Sequence, residues 1–202
     1  MKHIVVARNN NKHMGAYLDA PITDKNPVHG QNSMVAWGAC CMQGWRCGME
    51  DAHICEEISL PNGEKGQLFC VFDGHGGKDV ADFAEKNFVN VFTGTSEFKQ
   101  SRFDIALEVA FMALDNKVKD EEYAQDTGST SCVVFMTKEN IYCANAGDSR
   151  AVLCRKGNVI ELSEDHKPDN ELEEKRIQAA NHFVSDQRVD GNLALSRAFG
   201  DF

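Results

Sequence analysis

An α+β fold built on mostly antiparallel strands is what the sequence predicts, and three observations predict it. Short apolar or alternating segments come first, two longer stretches with helical apolar spacing follow, and further short strand-like segments close the chain. That order lacks the strict strand–helix alternation a parallel sheet requires.

Residues 1–33 are polar and irregular, with the run Asn9, Asn10, Asn11 and two prolines, and read as a loosely held arm ahead of a domain over 34–202. MVAWGACCM (34–42), HICEEI (53–58) and QLFCVF (67–72) fit strands. The PNG turn at 61–63 separates the last two as a hairpin would. After DGHGG, the residues Val80, Phe83, Ala84, Phe88 and Val91 make one apolar helix face. A second helix is predicted over about 102–119, with Phe103, Leu107, Ala110, Leu114 and Val118 on its stripe. SCVVFM (131–136), IYCANA (141–146), SRAVLCR (149–155) and NVIEL (158–162) return to strands, and ELEEKRIQAA (171–180) reads as a short helix.

Composition narrows the class of function. The chain has 202 residues, 42% of them apolar, which suits one domain or one large domain cut short. With 21 Lys plus Arg against 31 Asp plus Glu, its formal charge is −10, and such a chain repels phosphate backbones, so no nucleic-acid partner is expected. The acidic surplus fits solvated faces or carboxylates gathered around divalent cations. The eight cysteines include no CxxC pair, and Cys70 and Cys132 sit inside apolar runs, where free cysteine behaves as a small buried hydrophobe. Cys40 and Cys41 read as strand residues facing opposite sides. With no signal peptide and no apolar stretch near the ~20 residues of a membrane span, the expectation is a reduced, soluble protein of the cytoplasm and/or nucleus.

The chemistry concentrates at MED (49–51) and FDGHGG (72–77). Glu50 and Asp51 end a glycine-containing turn between two strand segments, and Asp73 ends an apolar strand. Carboxylates at strand ends are rigidly held yet accessible, as a hard cation such as Mg²⁺ or Mn²⁺ requires. Gly74 could add its carbonyl, since glycine lets the backbone approach an ion. His75 can hand a proton to a leaving oxygen, and Arg46 can hold a phosphate bidentately. Each feature alone has a plainer reading: DG is a common turn, Arg46 a surface charge, His53 a strand residue. In AGDSRAV (146–152), Gly147 and Asp148 read on the residues alone as a hairpin turn. Two carboxylate turns at neighbouring strand ends, flanked by Arg and His, are harder to explain by folding needs.

Six segments in order carry a resemblance: MQGWRCGMEDAH (42–53), FCVFDGHGG (69–77), TGSTSCVVF (127–135), ANAGDSRAVL (144–153), EDHKP (164–168) and RVDGNLALSRAFGD (188–201). Together they resemble the metal-dependent protein serine/threonine phosphatases of type 2C, and MGAYLDAPITDK (14–25) resembles the segment with which some members begin. The resemblance implies two antiparallel sheets packed as a sandwich flanked by helices, with two Mg²⁺ or Mn²⁺ ions in a cleft at one end. It implies metal ligation by Glu50, by Asp73 bridging both ions and by the Gly74 carbonyl. Asp51 would act through bound water, and Asp148 would serve a third, weaker ion. Arg46 becomes the substrate-phosphate arginine and His75 the general acid, while about 165–191 becomes a flap beside the cleft.

Two cations about 3.5–4 Å apart would acidify a water that attacks phosphorus in line, with no phosphoenzyme. A cysteine mechanism fits poorly, because Cys40 and Arg46 have the C-x5-R spacing but Ala39 and Cys47 stand where such loops carry His and Ser or Thr. Partners would be phosphorylated proteins, with no transmembrane segment and a monomer at full length.

Family members continue past the point where this sequence stops and supply further aspartates there. Three alternatives follow: part of a longer active enzyme, a module that binds phosphoproteins or partners without hydrolysis, or ligands completed by another chain. Met14 could be the initiator, which would expose Gly15 to myristoylation, although Asp19 stands where the signal wants Ser or Thr. Cys47 is expected to be a buried, inert strand-end thiol, the alternative being a thiol that senses oxidation if exposed and ionised.

Overall fold

The computed structural model describes residues 17–202, so the alternatives at Met1, Met14 and Gly15 lie outside the described residues. Two compact units divide between Met49 and Glu50. The first unit contains β1 (Tyr17–Ile22), β2 (Val28–Gln31), β3 (Ala36–Ala39) and β4 (Gly44–Arg46). β1 pairs antiparallel with β4, with a register shift along it, and β2 pairs with β3 from Val28 opposite Ala39 to Gln31 opposite Ala36. Among the described residues of the stretch expected to be an irregular arm, Tyr17–Ile22 and Val28–Gln31 are therefore strand. Its apolar residues Tyr17, Leu18, Ile22 and Val28 are too few and too interrupted, by Pro21 and Pro27, to show a period of two. Cys40 and Cys41 fall just past β3, so they are not strand residues, and Cys40 is exposed.

The second unit runs through β5 (Ala52–Ser59), β6 (Lys65–Phe72), β7 (Gly74–His75), α1 (Asp79–Gly94), α2 (Ser96–Lys99), α3 (Phe103–Val118) and a 3-10 turn at Glu122–Gln125. It continues with β8 (Gly128–Ser129), β9 (Ser131–Met136), β10 (Ile141–Ala146), β11 (Val152–Arg155) and β12 (Asn158–Glu161). α4 (Glu171–Ala179), β13 (Val184–Ser185), β14 (Arg188–Val189) and β15 (Phe199–Gly200) close it. The α+β class with antiparallel sheets is as expected. A four-stranded sheet in the order β10-β9-β6-β5 is the largest, a three-stranded sheet orders β15-β8-β7, and β11-β12 and β13-β14 form ribbons.

Antiparallel register gathers the core onto one face of the large sheet. Ile54, Cys70, Val133 and Ala144 form one row across it, and Leu68, Phe135 and Tyr142 another. α1 and α3 pack on that face. α1 buries Val80, Ala81, Ala84, Phe88 and Phe92, while α3 buries Phe103, Ala106, Leu107, Ala110, Leu114 and Val118. Phe92 meets Phe135 edge-on at 5.2 Å between ring centroids, and Phe103 meets Phe135 at 5.2 Å. Each such ring contributes roughly 1.5–3 kcal/mol by leaving water, plus the edge-to-face term. Short α2 starts where the Thr95 hydroxyl accepts the Phe98 N–H at 3.0 Å, an N-cap that ends α1 and turns the chain toward α3. β11 is shorter than SRAVLCR suggests, because Ser149, Arg150 and Ala151 lie ahead of it. All eight cysteines are free thiols, with Cys70 and Cys132 buried as expected, and burial pushes the Cys70 thiol well up. Among the described residues, no helix is long and apolar enough to cross a membrane.

Candidate active site

Hairpin register brings the two acidic turns to one end of the large sheet. Ala52, first in β5, lies opposite Phe72, last in β6. Glu50 and Asp51 therefore lead into the sheet where Asp73 leaves it. The approach is close: a Cβ added at Gly74 would lie 2.3 Å from the Glu50 carbonyl oxygen, so only glycine lets the two backbones touch. Asp73 is fastened through its main chain. Its N–H donates to Thr130 Oγ1 at 3.1 Å, and its carbonyl accepts the Thr130 N–H at 2.9 Å. These bonds hold the carboxylate's base rigid, while Asp51 and Asp73 stay exposed and Glu50 is half-buried.

His75 is seated by the three-stranded sheet. It pairs with Gly128 of β8, which pairs in turn with Gly200 of β15. The imidazole Nε2 lies 2.7 Å from Asp201 Oδ2. A Cβ at Gly128 would stand 2.4 Å from that oxygen and 2.5 Å from that nitrogen, so the pair occupies the space a side chain would fill. The Gly200 N–H donates to Asp115 Oδ1 on α3 at 3.0 Å, and burial pushes the Asp115 carboxyl up from its ordinary value.

The third motif joins the first two through Thr130, whose hydroxyl is 2.7 Å from Ser149 Oγ in the AGDSR turn. Asp148 in that turn is held by Lys167, Nζ to Oδ2 at 2.5 Å. The Gly147 N–H donates to His166 Nδ1 at 3.2 Å, and the His166 N–H donates to the Gly147 carbonyl at 2.9 Å. Burial, then the positive charge of Arg197, pulls the His166 pKa down, which suits a ring nitrogen that accepts. Arg150 grips Asp165 with two 2.8 Å bonds. The start of the expected flap is thus bolted to the Asp148 turn. Farther on, Glu173 of α4 is clasped by Arg197 at 2.7 and 2.9 Å and by Arg176 at 3.0 Å.

Of the residues singled out in the sequence, the structure brings Glu50, Asp51, Asp73 and Gly74 to one sheet end, places His75 in the adjoining strand, and ties the Asp148 turn to Asp73 through Thr130. Arg46 is exposed in β4 of the first unit. Cys47, expected to be buried, is exposed, because β4 ends before it and no apolar run encloses it. Among the described residues, no three His, Cys, Asp or Glu side chains are placed to hold an ion by themselves. The donors at the Glu50–Asp73 end are nonetheless all oxygens. A backbone cradle there is closed to any Cβ at Gly74, and Mg²⁺ in particular needs one or two carboxylates with waters completing its shell. That donor set fits a hard divalent cation. Sequence reasoning missed Thr130 and Asp201, although both lie inside quoted motifs, TGST and AFGD.

Comparison with known proteins shows the family. The protein phosphatase 2C family model matches residues 35–202. Probable protein phosphatase 2C 2 of Paramecium tetraurelia is 45% identical over 204 residues, covering 93% of this chain and 66% of that protein. Protein phosphatase 2C homolog 3 of Schizosaccharomyces pombe is 43% identical over 197 residues, covering 94% and 47% respectively. Among solved structures, a serine-threonine phosphatase 2C from Toxoplasma gondii aligns with a TM-score of 0.69 at 19% identity, over 92% of this chain and 71% of that one. A sex determining protein of Caenorhabditis elegans aligns at 0.67 and 23%, over 91% and 45%. This chain belongs to the protein phosphatase 2C family and spans just under two thirds of the length of the Paramecium relative.

Proposed function

We propose that this chain carries the metal-binding end of a protein phosphatase that hydrolyses phosphoserine and phosphothreonine in proteins by direct attack of water, without a phosphoenzyme. The supporting observation is the close approach of the Glu50 turn to Asp73 and Gly74 at one sheet end, with His75 in the next strand. The cations are Mg²⁺ or Mn²⁺, two in a complete site, with Glu50, Asp73 and the Gly74 carbonyl as ligands, Asp51 acting through water, and Asp148 serving a further ion. When bound, they supply an acidified water and offset the charge of the phosphate.

The protein's own groups do the rest. Thr130 locks the Asp73 backbone, so the point from which the carboxylate projects is set before charge develops. His75 gives a proton to the departing serine or threonine oxygen, a step that matters because an alkoxide is a poor leaving group. Arg46 enters this reading on its place in the motif, as the phosphate-binding guanidinium.

The test is Mn²⁺-dependent hydrolysis of a phosphothreonine peptide by this chain, with Asp73→Ala as control. Hydrolysis that EDTA abolishes and that the variant lowers by at least about 100-fold is the expected result. Equal rates for the two proteins, or no turnover by either, would sink the reading for this chain.

A further inference from the structure

We propose that Asp201 is a positioning residue for His75, fixing the imidazole by its Nε2–H so that Nδ1 is the nitrogen that delivers the proton. This rests on the reading of His75 as the proton donor. The first observation is the contact itself: Nε2 to Oδ2 is 2.7 Å, the length of a charge-assisted bond, between side chains only 25% and 16% exposed. A carboxylate accepting from one ring nitrogen settles both the hydrogen's place and the ring's orientation.

The second observation is what the surrounding backbone does to make that contact. Two residues of β7, two of β8 and two of β15 pair side by side, and those pairings bring positions 126 apart in sequence within hydrogen-bonding reach. Gly128, between them, leaves the space where the ring and the carboxylate meet. Asp201 itself has φ +57, a left-handed conformation uncommon for a residue with a side chain, and its N–H is held by the Thr127 carbonyl at 3.2 Å. The preceding residue is tied to Asp115 on α3. A backbone held in a sparsely populated conformation, anchored on both sides, aims the Asp201 carboxylate at His75.

The chemistry follows. As the phosphorus–ester oxygen bond breaks, its electron pair stays on the serine or threonine oxygen, and Nδ1–H supplies the proton that makes the alcohol. The ring leaves the step neutral, with its remaining hydrogen on Nε2 against Asp201. The water consumed provides the new P–O bond and the proton that recharges the ring.

Two measurements test this. In ¹⁵N-histidine-labelled chain, with signals assigned by His75→Gln, alkaline buffer should show His75 with hydrogen on Nε2 and a downfield ring proton slow to exchange. Asp201→Ala should lose that proton; if alanine prevents folding, Asp201→Asn, whose uncharged amide oxygen is a weaker acceptor, should move it upfield and speed its exchange. Hydrogen on Nδ1 in the unmodified chain, or an unchanged downfield proton in the variant, overturns the proposal.

With Mn²⁺ present, kcat of the Asp201 variant should fall about 100-fold on the phosphothreonine peptide but only a few-fold on p-nitrophenyl phosphate, whose leaving group needs no proton. KM should stay within about twofold. Equal losses on both esters overturn proton delivery by Nδ1. A chain inert toward both fails the functional reading, while the ring-proton signal still decides the positioning.

Discussion

A carboxylate on a side chain only 7% exposed needs opposite charge to remain ionised, and Glu173 has two guanidinium groups. Burial alone would raise its pKa. The bonds from Arg197 and Arg176 outweigh that and bring it down to about 2, against 4.5 for an unstructured glutamate. Because the folded value is the lower one, the stabilisation is complete above the unfolded value and is lost as pH falls through 4.5 toward 2. Glu173→Gln should therefore cost roughly 1.5–3 kcal/mol at neutral pH, with the gap to the unmodified chain closing in acid. Urea unfolding across that range measures it, and a gap independent of pH would argue against the ion pair as its source. Single residues also mark the limit of sequence reading. Glu50, Asp73 and His75 announce themselves by motif and by strand ends. Asp201 does not, because its use depends on strand pairing with a segment far back in the chain.

Secondary structure was legible where an element is long enough to show its period. All five residues of the predicted α3 stripe are buried, since 16 residues repeat the helical spacing four times over. In α1 the face is rotated slightly, burying Ala81 and Phe92 and leaving Phe83 and Val91 only half-buried. Two-residue strands such as β7, β8 and β15 carry no period at all, and they are the elements that seat His75. What the helices do for the site is cover the buried face of the large sheet. Phe135 is the hinge of that packing, fully buried, with Phe92, Phe98, Phe103 and Tyr142 around it. Removing the ring leaves a cavity beneath both helices, so Phe135→Ala should cost about 3–5 kcal/mol. A loss below about 1 kcal/mol in denaturant titration would mean that the helices do not depend on this face.

On the scale of the whole molecule, a formal charge of −10 means that any divalent cation is attracted somewhere, so metal binding by itself says little. The sequence left open whether the acidic surplus is a solvated surface or a cation site, and the site proposed above uses only the few carboxylates at one sheet end. A site of that kind completes its shell with water and binds weakly. Specific binding to the folded state must still raise stability by mass action, about 1.4 kcal/mol at ten times Kd. For a chain of this size that corresponds to a rise of roughly 3–6 °C in Tm. Mn²⁺ should produce such a rise in the unmodified chain and EDTA should reverse it, while Asp73→Ala should remove most of it. Diffuse screening of surface charge would raise both proteins alike, because one carboxylate among 31 barely alters the total. A shift that survives Asp73→Ala undiminished would place the ions on the general surface, and the Glu50–Asp73 end would lose its claim to be the metal site.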